Sequence, residues 1–404
     1  MKARIILLAV LFLVAISDGR ADWVPTNGPG TFESVIVFAV SGTNLFAGTE
    51  GGGVYLSTNN GTSWTEVNIG LTDGYIRSLA FSGPNLFAGT EIAGVFRSTN
   101  NGASWTEVNN GMTNTSAYAL AVSGTNLFAG GFGGVFLSTN NGTLWTAVNN
   151  GLNSNSVFAL AVSGTNLLAG TFSGVFLSTD NGTSWNATGL PTSNVMSFAV
   201  SGTNLFAGTQ SEGAYLSTNN GTSWNQINNG LPSGTAVLAF AVSGSNLFAG
   251  TEGDGVYLSA NDGTSWTDAS TGLTATTVYA LAVSGPNLFA GTLFDGAWRR
   301  PLSEMVTSVE ALPTDLPTHF SLDQNYPNPF NPATTIQFHI VEPRFISLKV
   351  FDVLGREVTT LVNEEKSPGS YSVRWNATNI GSGTYFYRLE SNGRREVKKM
   401  LFLK

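Results

Sequence analysis

The chain has 404 residues, a formal charge of −8 and no cysteine, which excludes a disulfide framework and a thiolate metal site. An acidic chain with few Lys and Arg is a poor candidate for nucleic-acid binding, which needs clustered basic residues. Its 48 glycines and its charged fraction of 11% are typical of many short strands joined by tight turns.

The N-terminus has the pattern of a secretory signal peptide over residues 1–21. Lys2 and Arg4 precede the apolar run Ile5–Ile16, which is shorter than the roughly 20 residues that a spanning helix needs. Because small residues follow, we expect cleavage near Ala21. The alternative is a buried N-terminal helix. No later apolar run is long enough to cross a membrane, so we expect a chain that is not membrane-spanning.

A repeat of about forty residues fills the next part of the chain. The octet STNNGTSW and its variants end in Trp64, Trp105, Trp145, Trp185, Trp224 and Trp266, which are 41, 40, 40, 39 and 42 residues apart. Trp23 lies 41 residues before Trp64, and the segment NLFAG or NLLAG occurs seven times. A regular period of this length indicates a solenoid, a propeller or an array.

Each unit contains four strand-like pieces and none with the length and period of a helix. In the third unit they are WTEVNN, AYALAVSG, NLFAG and GVFLST. Seven such groups predict an all-β, seven-bladed β-propeller over residues 22–303. We expect the N-terminal strand at Trp23 to complete the blade that ends near Leu302 and so close the ring. An open solenoid, the alternative, would need polar capping repeats, which the sequence lacks.

The octet is predicted to be a hairpin turn between the third and fourth strands of a blade. Asn and Gly tolerate positive φ, Ser can bond nearby backbone, and Trp can bury its ring against the neighbouring sheet. The octets resemble the Asp-box, or BNR repeat, Ser-x-Asp-x-Gly-x-x-Trp, of sialidases and sortilin-like propellers. In that family the box is a structural hairpin remote from the active centre. The matching structural residues include Ser57, Asn59, Gly61, Trp64, Asp180, Gly182 and Trp185.

A calcium loop is the alternative interpretation of the octets. Asn replaces the Asp of the box in five of the six, and only the fourth octet has Asp180. Because neutral Asn is a weaker calcium ligand than a carboxylate, we expect no metal site and no cofactor.

The alternating strands should place the Ser-Gly-Thr-Asn turns and the octets on one rim, the octet rim. The loops after NLFAGT and after the Trp-led strands should form the opposite loop rim, where the units differ and specificity can reside. The candidate binding residues there are Glu50, Glu91, Phe132, Phe172, Glu252, Asp254, Phe294 and Asp295. Acidic and aromatic groups suit a carbohydrate ligand. Alternatively, the carboxylates are solvated loop charges and the Phe rings cover the core.

Missing residue types limit catalysis in the propeller. Residues 22–304 contain no Lys and no His, which excludes a Ser–His–Asp site and a His-ligated zinc. A sialidase clusters three arginines, but we place Arg97 in a third strand and Arg299–Arg300 after the last blade, away from Arg77 in a loop. A carboxylate pair remains open for a glycoside hydrolase. Its candidates are Asp73, Glu91, Glu252 and Asp254.

The composition changes after the propeller. Residues 304–319 are predicted to be a linker and 320–404 a small Ig-like β-sandwich, with His319 and His339 as surface or sheet residues. The sandwich resembles the type A C-terminal sorting domain of type IX secretion cargo in NYPNPFNP, VFDVLGREV, SGTYFYRL and the ending KKMLFLK. An Ig-like adhesion module is the alternative.

This resemblance implies export in two stages in a bacterium of the Bacteroidetes or a related group. The signal peptide would direct passage of the inner membrane, and the type IX machinery would act on residues 320–404 at the outer membrane. The mature protein would be released or held at the cell surface.

Three functions are compatible with these patterns. The first is a secreted or surface-held, non-catalytic binding or adhesion module, which the uniform repeats favour. The second is a carbohydrate-active enzyme that uses carboxylates of the loop rim. The third is a scaffold that holds a protein partner. For a binding module, the candidate ligands are a glycan or a surface protein.

Overall fold

A computed structural model describes residues 22–29, 33–190, 194–305, 319–342, 344–366, 369–377, 380–391 and 393–404. These residues form two compact units, which divide between Val306 and Thr307. The predicted signal peptide, 1–21, and most of the predicted linker, 304–319, lie outside the described residues.

Seven antiparallel four-stranded sheets make up the first unit, and they are the seven predicted blades. Blades 1 to 3 consist of β2 (Val35–Ser41), β3 (Asn44–Thr49), β4 (Val54–Ser57) and β5 (Thr65–Glu66); β6 (Ile76–Ser82), β7 (Asn85–Thr90), β8 (Val95–Ser98) and β9 (Thr106–Glu107); β10 (Ala119–Ser123), β11 (Asn126–Gly131), β12 (Gly134–Ser138) and β13 (Thr146–Ala147). Blades 4 to 6 consist of β14 (Val157–Ser163), β15 (Asn166–Thr171), β16 (Gly174–Ser178) and β17 (Asn186–Ala187); β18 (Val195–Ser201), β19 (Asn204–Thr209), β20 (Ala214–Ser217) and β21 (Asn225–Gln226); β22 (Val237–Ser243), β23 (Asn246–Thr251), β24 (Val256–Ser259) and β25 (Thr267–Asp268). Blade 7 consists of β26 (Val278–Ser284), β27 (Asn287–Thr292), β28 (Ala297–Pro301) and β1 (Val24–Pro25), and the short helix α1 (Leu302–Met305) follows it.

The N-terminal strand closes the ring, as the sequence predicts. Val24 pairs with Arg299 and Pro25 with Trp298, so β1 is the outer strand of blade 7. The inner strands β26 and β2 of blades 7 and 1 contact each other in the same way as the inner strands of the other neighbouring blades. The chain is therefore a closed seven-bladed propeller with no open sheet edge at the seam.

The glycine of each NLFAG segment allows the blades to pack closely. A Cβ on Gly48 would lie 2.5 Å from Ile76 Cγ2 of the next blade, and one on Gly130 would lie 2.7 Å from Val157 Cγ1. These distances are well inside van der Waals contact, so even a methyl group would force neighbouring blades apart.

The octets form the hairpins between third and fourth strands, as predicted. In the third octet Asn141 and Gly142 have φ values of 57° and 78°, in the left-handed region that such a turn requires. The Gly142 N–H donates to Ser138 Oγ at 2.9 Å, and the Ser138 hydroxyl donates to Asn140 Oδ1 at 2.9 Å. The side chains of the octet thus fix its own turn.

The tryptophans connect each blade to the one before it. Trp145 Nε1 donates to Val108 O of blade 2 at 2.7 Å, and its ring is buried. Equivalent 2.7 Å bonds run from Trp105 to Val67, Trp185 to Val148, Trp266 to Ile227 and Trp23 to Ala269. Trp64 and Trp224 instead donate to the Thr26 and Thr188 hydroxyls at 3.1 Å. The repeated octet is therefore architectural.

The second unit is the predicted sandwich. One sheet has the order β29 (Ser321–Leu322), β30 (Ala333–Ile340), β33 (Gly369–Asn376), and the other β32 (Glu357–Lys366), β31 (Arg344–Phe351), β34 (Gly383–Ser391), β35 (Arg394–Phe402). One buried cluster joins them, with Phe338 from the first sheet and Leu348 and Phe402 from the second. Its alternating inward residues follow the period of two expected of strands.

Candidate functional site

A β-bulge at the start of six of the seven inner strands carries a residue whose identity changes from blade to blade, and in blade 3 the equivalent Tyr118 lies just before β10. In blade 4, Val157 pairs with Thr171 and Ala159 with Gly170, which leaves Phe158 without a ladder partner. A bulge of this kind redirects one side chain out of the sheet. The equivalent residues of blades 1 to 7, which we name the inner ring, are Ile36, Arg77, Tyr118, Phe158, Met196, Leu238 and Tyr279.

Sequence reasoning missed the inner ring, although a signal for it was present. The strand segments around these positions are close to identical, as in VFALAVS and VYALAVS, while the second residue changes in size and charge. A single varying position inside a uniform strand indicates a residue that the scaffold does not need for packing. Each inner strand starts at the loop rim, so the inner ring lies at that end of the propeller.

Arg77 joins blades 1 and 2 at the loop rim. Its Nη2 donates to Glu91 Oε2 at 2.7 Å and to Glu50 Oε1 at 3.3 Å. Burial lowers the pKa of Arg77, but the hydrogen bond and charge of Glu91, together with Glu50, raise that pKa above its ordinary value overall. The guanidinium also lies 5.8 Å from the ring centroid of Tyr118, within cation–π distance.

Tyr118 also belongs to a group of four aromatic rings of blades 3 and 4, which we name the aromatic cluster: Tyr118, Phe132, Phe158 and Phe172. Ring centroids are 5.0 Å apart for Tyr118 and Phe132 and 4.5 Å apart for Phe158 and Phe172. Phe132 and Phe158 are 6.5 Å apart with planes at 87°. Phe132 and Phe172, two of the candidates predicted from sequence, are 46% and 51% exposed, so they are not simply core residues.

Acidic residues extend the same surface in the other direction around the ring. Burial first, and then the charges of Glu50 and Glu252, raise the pKa of Tyr279, while Arg77 lowers it. These four residues from blades 6, 7, 1 and 2 therefore share one electrostatic environment. We give the name rim arc to the set of loop-rim residues Glu252, Tyr279, Glu50, Arg77, Glu91, Tyr118, Phe132, Phe158 and Phe172.

The other predicted binding residues flank the rim arc. Asp254 and Asp295 accept hydrogen bonds from Thr235 and Thr274 at 2.5 and 2.8 Å. Phe294 is 62% exposed and has a φ of 56°, an unfavourable combination for a bulky residue. The equivalent positions of blades 1 and 6 are glycines with positive φ. An exposed ring in a strained turn is a mark of a functional surface.

Two of the four carboxylates considered for catalysis, Asp73 and Glu91, are engaged in other contacts. Asp73 is buried and accepts backbone N–H bonds from Tyr75, Ile92 and Ala93 at 2.9, 3.0 and 3.3 Å, so both of its oxygens hold the loop. Glu91 is held by Arg77. An open depression of about 300 Å³ beside Asp73 has Gly51–Gly53 as much of its wall and contains none of the other three candidates.

Three arginines lie elsewhere than the sequence analysis places them. Arg77 lies in the inner strand β6 because the bulge extends the strand past the loop. Arg299 and Arg300 lie in β28, the third strand of blade 7, and not after the last blade, because β1 completes the sheet outside them. Arg97 and Arg299 donate to Asn141 O and Asn60 O of the octets at 3.0 and 2.9 Å. They therefore lie on the octet rim, and the convergence required of a sialidase is absent.

The sandwich contains a chain of polar contacts between Asp323, His339 and Ser370. His339 Nδ1 lies 2.7 Å from Ser370 Oγ, and Nε2 lies 3.1 Å from Asp323 Oδ2. A serine-protease triad has the nitrogens the other way round, with Nε2 facing the serine. The three residues therefore form a cross-strand contact on one face of the sheet.

Within the described parts of both units, no group of three or more His, Asp or Glu residues is arranged to hold a metal ion. None of the helices in those same ranges has the length and apolar character needed to cross a bilayer.

Fold and site together define an all-β protein of two parts, a seven-bladed propeller and a β-sandwich. Residues 324–403 match the family described as the secretion system C-terminal sorting domain, and residues 198–322 match the DUF6242 beta propeller domain. The sorting domain predicted from sequence is thus confirmed, and it implies handling by a secretion machinery and delivery to the cell surface or outside.

Solved structures similar to this chain are also propellers. PorZ, a surface component of the type-IX secretion system of Porphyromonas gingivalis, is 15% identical with a TM-score of 0.54 over 94% of this chain and 61% of its own. The GH74 xyloglucanase of Xanthomonas campestris is 18% identical with a TM-score of 0.56 over 70% and 54%. YCF48 of Cyanidioschyzon merolae is 16% identical with a TM-score of 0.56 over 70% and 99%, and YCF48 is also known bound to the D1 peptide.

At these identities the similarity shows the fold alone. The chain covers less than two thirds of PorZ and of the xyloglucanase. Comparison with curated proteins found no match.

Proposed function

We propose that this protein is a non-catalytic binding module, exported by a type IX secretion machinery that acts on residues 320–404, and that it recognises its ligand with the rim arc. The observation that carries the proposal is the convergence of the varying residues on one rim of seven near-identical blades. A scaffold that repeats everything except one surface has its specificity in that surface. The domain limits 1–21, 22–303, 304–319 and 320–404 form part of the proposal.

The arrangement of the carboxylates favours binding over glycoside hydrolysis. A glycosidase needs two carboxyl groups on either side of the scissile bond, one of them as a proton donor. Glu50 and Glu91 are near each other, but the guanidinium of Arg77 lies between them where a glycosidic oxygen would have to enter. Asp73 is occupied by backbone N–H groups. The xyloglucanase neighbour supports the propeller fold and no activity here.

Two similar propellers agree with a binding role. PorZ is a surface component of a type-IX secretion system, and YCF48 has been solved with a bound peptide. Both share only the architecture with this chain. The YCF48 complex supports the idea that a propeller of this architecture can hold a peptide.

Binding and hydrolysis are separated by two assays on the full chain. We expect saturable binding to washed cells of the producing bacterium and no release of reducing sugar from a broad polysaccharide panel. The variant Phe132→Ala/Phe172→Ala should lose at least about tenfold in affinity, since it removes exposed rings of the arc. Leu144→Ala, which removes an exposed apolar side chain from the octet rim, is the matched control. Release of reducing sugar that is lost in the Glu252→Gln variant would instead show that the protein is a glycoside hydrolase.

The export part is tested by deleting residues 320–404. The propeller has its own core and closed ring, so it should fold and accumulate in the periplasm. Normal arrival of the truncated protein at the cell surface would contradict the assignment of the sorting signal to this domain.

A further inference from the structure

Exposed apolar side chains of the propeller are concentrated on the loop rim. Soluble proteins rarely expose several large apolar groups on one surface unless that surface binds something. In the propeller, Ile69, Tyr75, Ile92, Phe132, Phe172 and Phe294 are exposed in the loops of this rim, whereas Val24 and Val40 are exposed in β1 and β2 and Leu144 is exposed in an octet. Ile92 is 72% exposed and is aliphatic, so it offers no flat face to a sugar ring.

The aromatic cluster has the wrong shape for a sugar platform. Stacking on a sugar needs a ring whose flat face is open to solvent. Here the planes of Phe158 and Phe172 meet at 79°, and those of Tyr118 and Phe158 at 74°. The rings of the cluster therefore pack edge to face, while Phe132 and Phe172 remain 46% and 51% exposed. Such a group of rings suits contact with an apolar side chain.

The charge of the loop rim defines the other half of the ligand. Its acidic side chains are Glu33, Glu50, Glu91, Glu212, Glu252, Asp254 and Asp295, with the buried Asp73 behind them. Arg77 is the one basic residue on this rim in the described chain, and two of the carboxylates already neutralise it. The carboxylates of blades 6 and 7, at positions 252, 254 and 295, are left to attract a positive partner.

We infer that the rim arc binds a polypeptide segment that carries both an aromatic or aliphatic side chain and Lys or Arg. The apolar side chain enters the aromatic cluster of blades 3 and 4, and the basic side chains face the carboxylates of blades 6 and 7. Arg77 is a positioning residue that holds Glu50 and Glu91 between the two halves. This inference rests on the proposed binding function and specifies its ligand class.

Fluorescence anisotropy with labelled synthetic peptides and the full chain tests the inference. The probe is a peptide of alternating Lys and Phe, with one comparison peptide that has Glu in place of Lys and one that has Ser in place of Phe. We expect the Lys–Phe peptide to bind at least about tenfold more tightly than either. Its affinity should fall as salt rises, because attraction between exposed charges is screened.

Variants assign the two halves of the probe to the two halves of the arc. Phe172→Ala should weaken binding of the Lys–Phe peptide about tenfold and leave the salt dependence of that binding unchanged. Glu252→Gln should weaken binding of this peptide several-fold and make its affinity less dependent on salt. Leu144→Ala and Asp180→Asn on the octet rim are the matched controls. The second gives the fourth octet the Asn of the other five, so it should retain the fold.

The outcomes separate this inference from the function on which it rests. The peptide inference is overturned if the Glu–Phe peptide binds as tightly as the Lys–Phe peptide. It is also overturned if the octet-rim controls lose as much affinity as the rim-arc variants. Rim-dependent binding to a glycan array without peptide binding also overturns it but keeps the binding function. If neither peptides, glycans nor cells bind in a way that depends on the rim, both fail.

Discussion

At the scale of single residues, the indole N–H groups of the tryptophans hold the blades in register. The buried indoles at positions 23, 105, 145, 185, 224 and 266 donate to a carbonyl or hydroxyl of the preceding blade, so each ring satisfies a polar group as well as burying apolar area. A phenyl ring would retain most of the burial and lose the hydrogen bond.

Trp145→Phe should therefore lower the free energy of unfolding by about 1–3 kcal/mol, because Val108 O would be buried without its donor. Trp64→Phe is the matched comparison. Its indole bond is longer, at 3.1 Å, and goes to the hydroxyl of Thr26, which can rotate to another partner. Urea unfolding should show the larger shift of midpoint for position 145. Equal shifts would mean that ring volume alone matters.

Tyr387 gives the sorting domain a dependence on alkaline pH. Its buried hydroxyl donates to Asp323 O and accepts from Asn325 N–H, both at 2.7 Å. Burial raises the pKa of Tyr387 to about 12, and the charge of Asp323 adds to this. The folded state holds the proton more tightly than the unfolded state, so this stabilisation is complete below pH 10 and is lost as pH rises toward 12.

Tyr387→Phe should remove that pH dependence and cost about 1–3 kcal/mol at neutral pH, since two backbone groups lose their partner. Unfolding of the full chain followed between pH 8 and 12 measures both effects. Tyr326→Phe, at an exposed site, is the control. A wild-type alkaline transition that persists in the position-387 variant would contradict the assignment.

Residue types could be predicted from the sequence better than residue roles. The carboxylates and Phe residues of the loop rim were identified from loop position. That Asp73 binds backbone could not be predicted, because its partners Ile92 and Ala93 lie in the loop after β7. That Arg77 connects two blades could not be predicted either, because it depends on the bulge that starts β6 and on Glu50 of the neighbouring blade. Local sequence carries no direct record of either contact.

At the scale of elements, the octet requires glycine for two separate reasons. Gly142 has a φ of 78°, and a Cβ there would lie 3.1 Å from Val108 Cγ2 and 3.2 Å from Phe87 Cε1 of the preceding blade. Gly124, in the turn between β10 and β11, has a φ of 60° but open space around it. A side chain at either position would be strained by the positive φ, but only one at position 142 would also crowd the preceding blade.

Gly124→Ala should cost about 1 kcal/mol from strain alone, and Gly142→Ala about 1–3 kcal/mol more. Urea unfolding of the two variants measures the difference. If both substitutions have the same cost, the octets do not pack tightly on the preceding blade and their glycine serves only the turn.

Strand order and turn positions were predictable because each blade repeats the same pattern seven times. The bulge was not predicted, since an extra residue in a strand changes neither the alternation nor the turn residues around it. The placement of Arg299 and Arg300 was wrong for a related reason. The third strand of blade 7 has no octet after it, whereas an octet marks the end of the third strand in each of the other six blades.

At the scale of the whole molecule, stability depends on the seam at blade 7. Trp23 is 2% exposed, and its N–H groups donate to Thr271 O and Ala269 O of blade 6. Removing β1 would expose the edge of β28 and the buried ring of Trp298.

Deletion of residues 22–26 should therefore destabilise the propeller by about 4 kcal/mol or more, comparable with the loss of a buried Trp. Differential scanning calorimetry of the full chain measures the propeller transition. Val24→Ser, at an exposed position of the same strand, is the control. An unchanged transition in the deletion variant would mean that the ring does not need this strand.

The central claim is that the loop rim, and not the octet rim, is the recognition surface. The chain has no cysteine, so a single Ser173→Cys on the loop rim or Ala103→Cys on the octet rim can be labelled specifically with a bulky polyethylene glycol maleimide. We expect the label at position 173 to abolish binding to washed cells and the label at position 103 to leave it unchanged. Binding blocked only from position 103 would contradict the account.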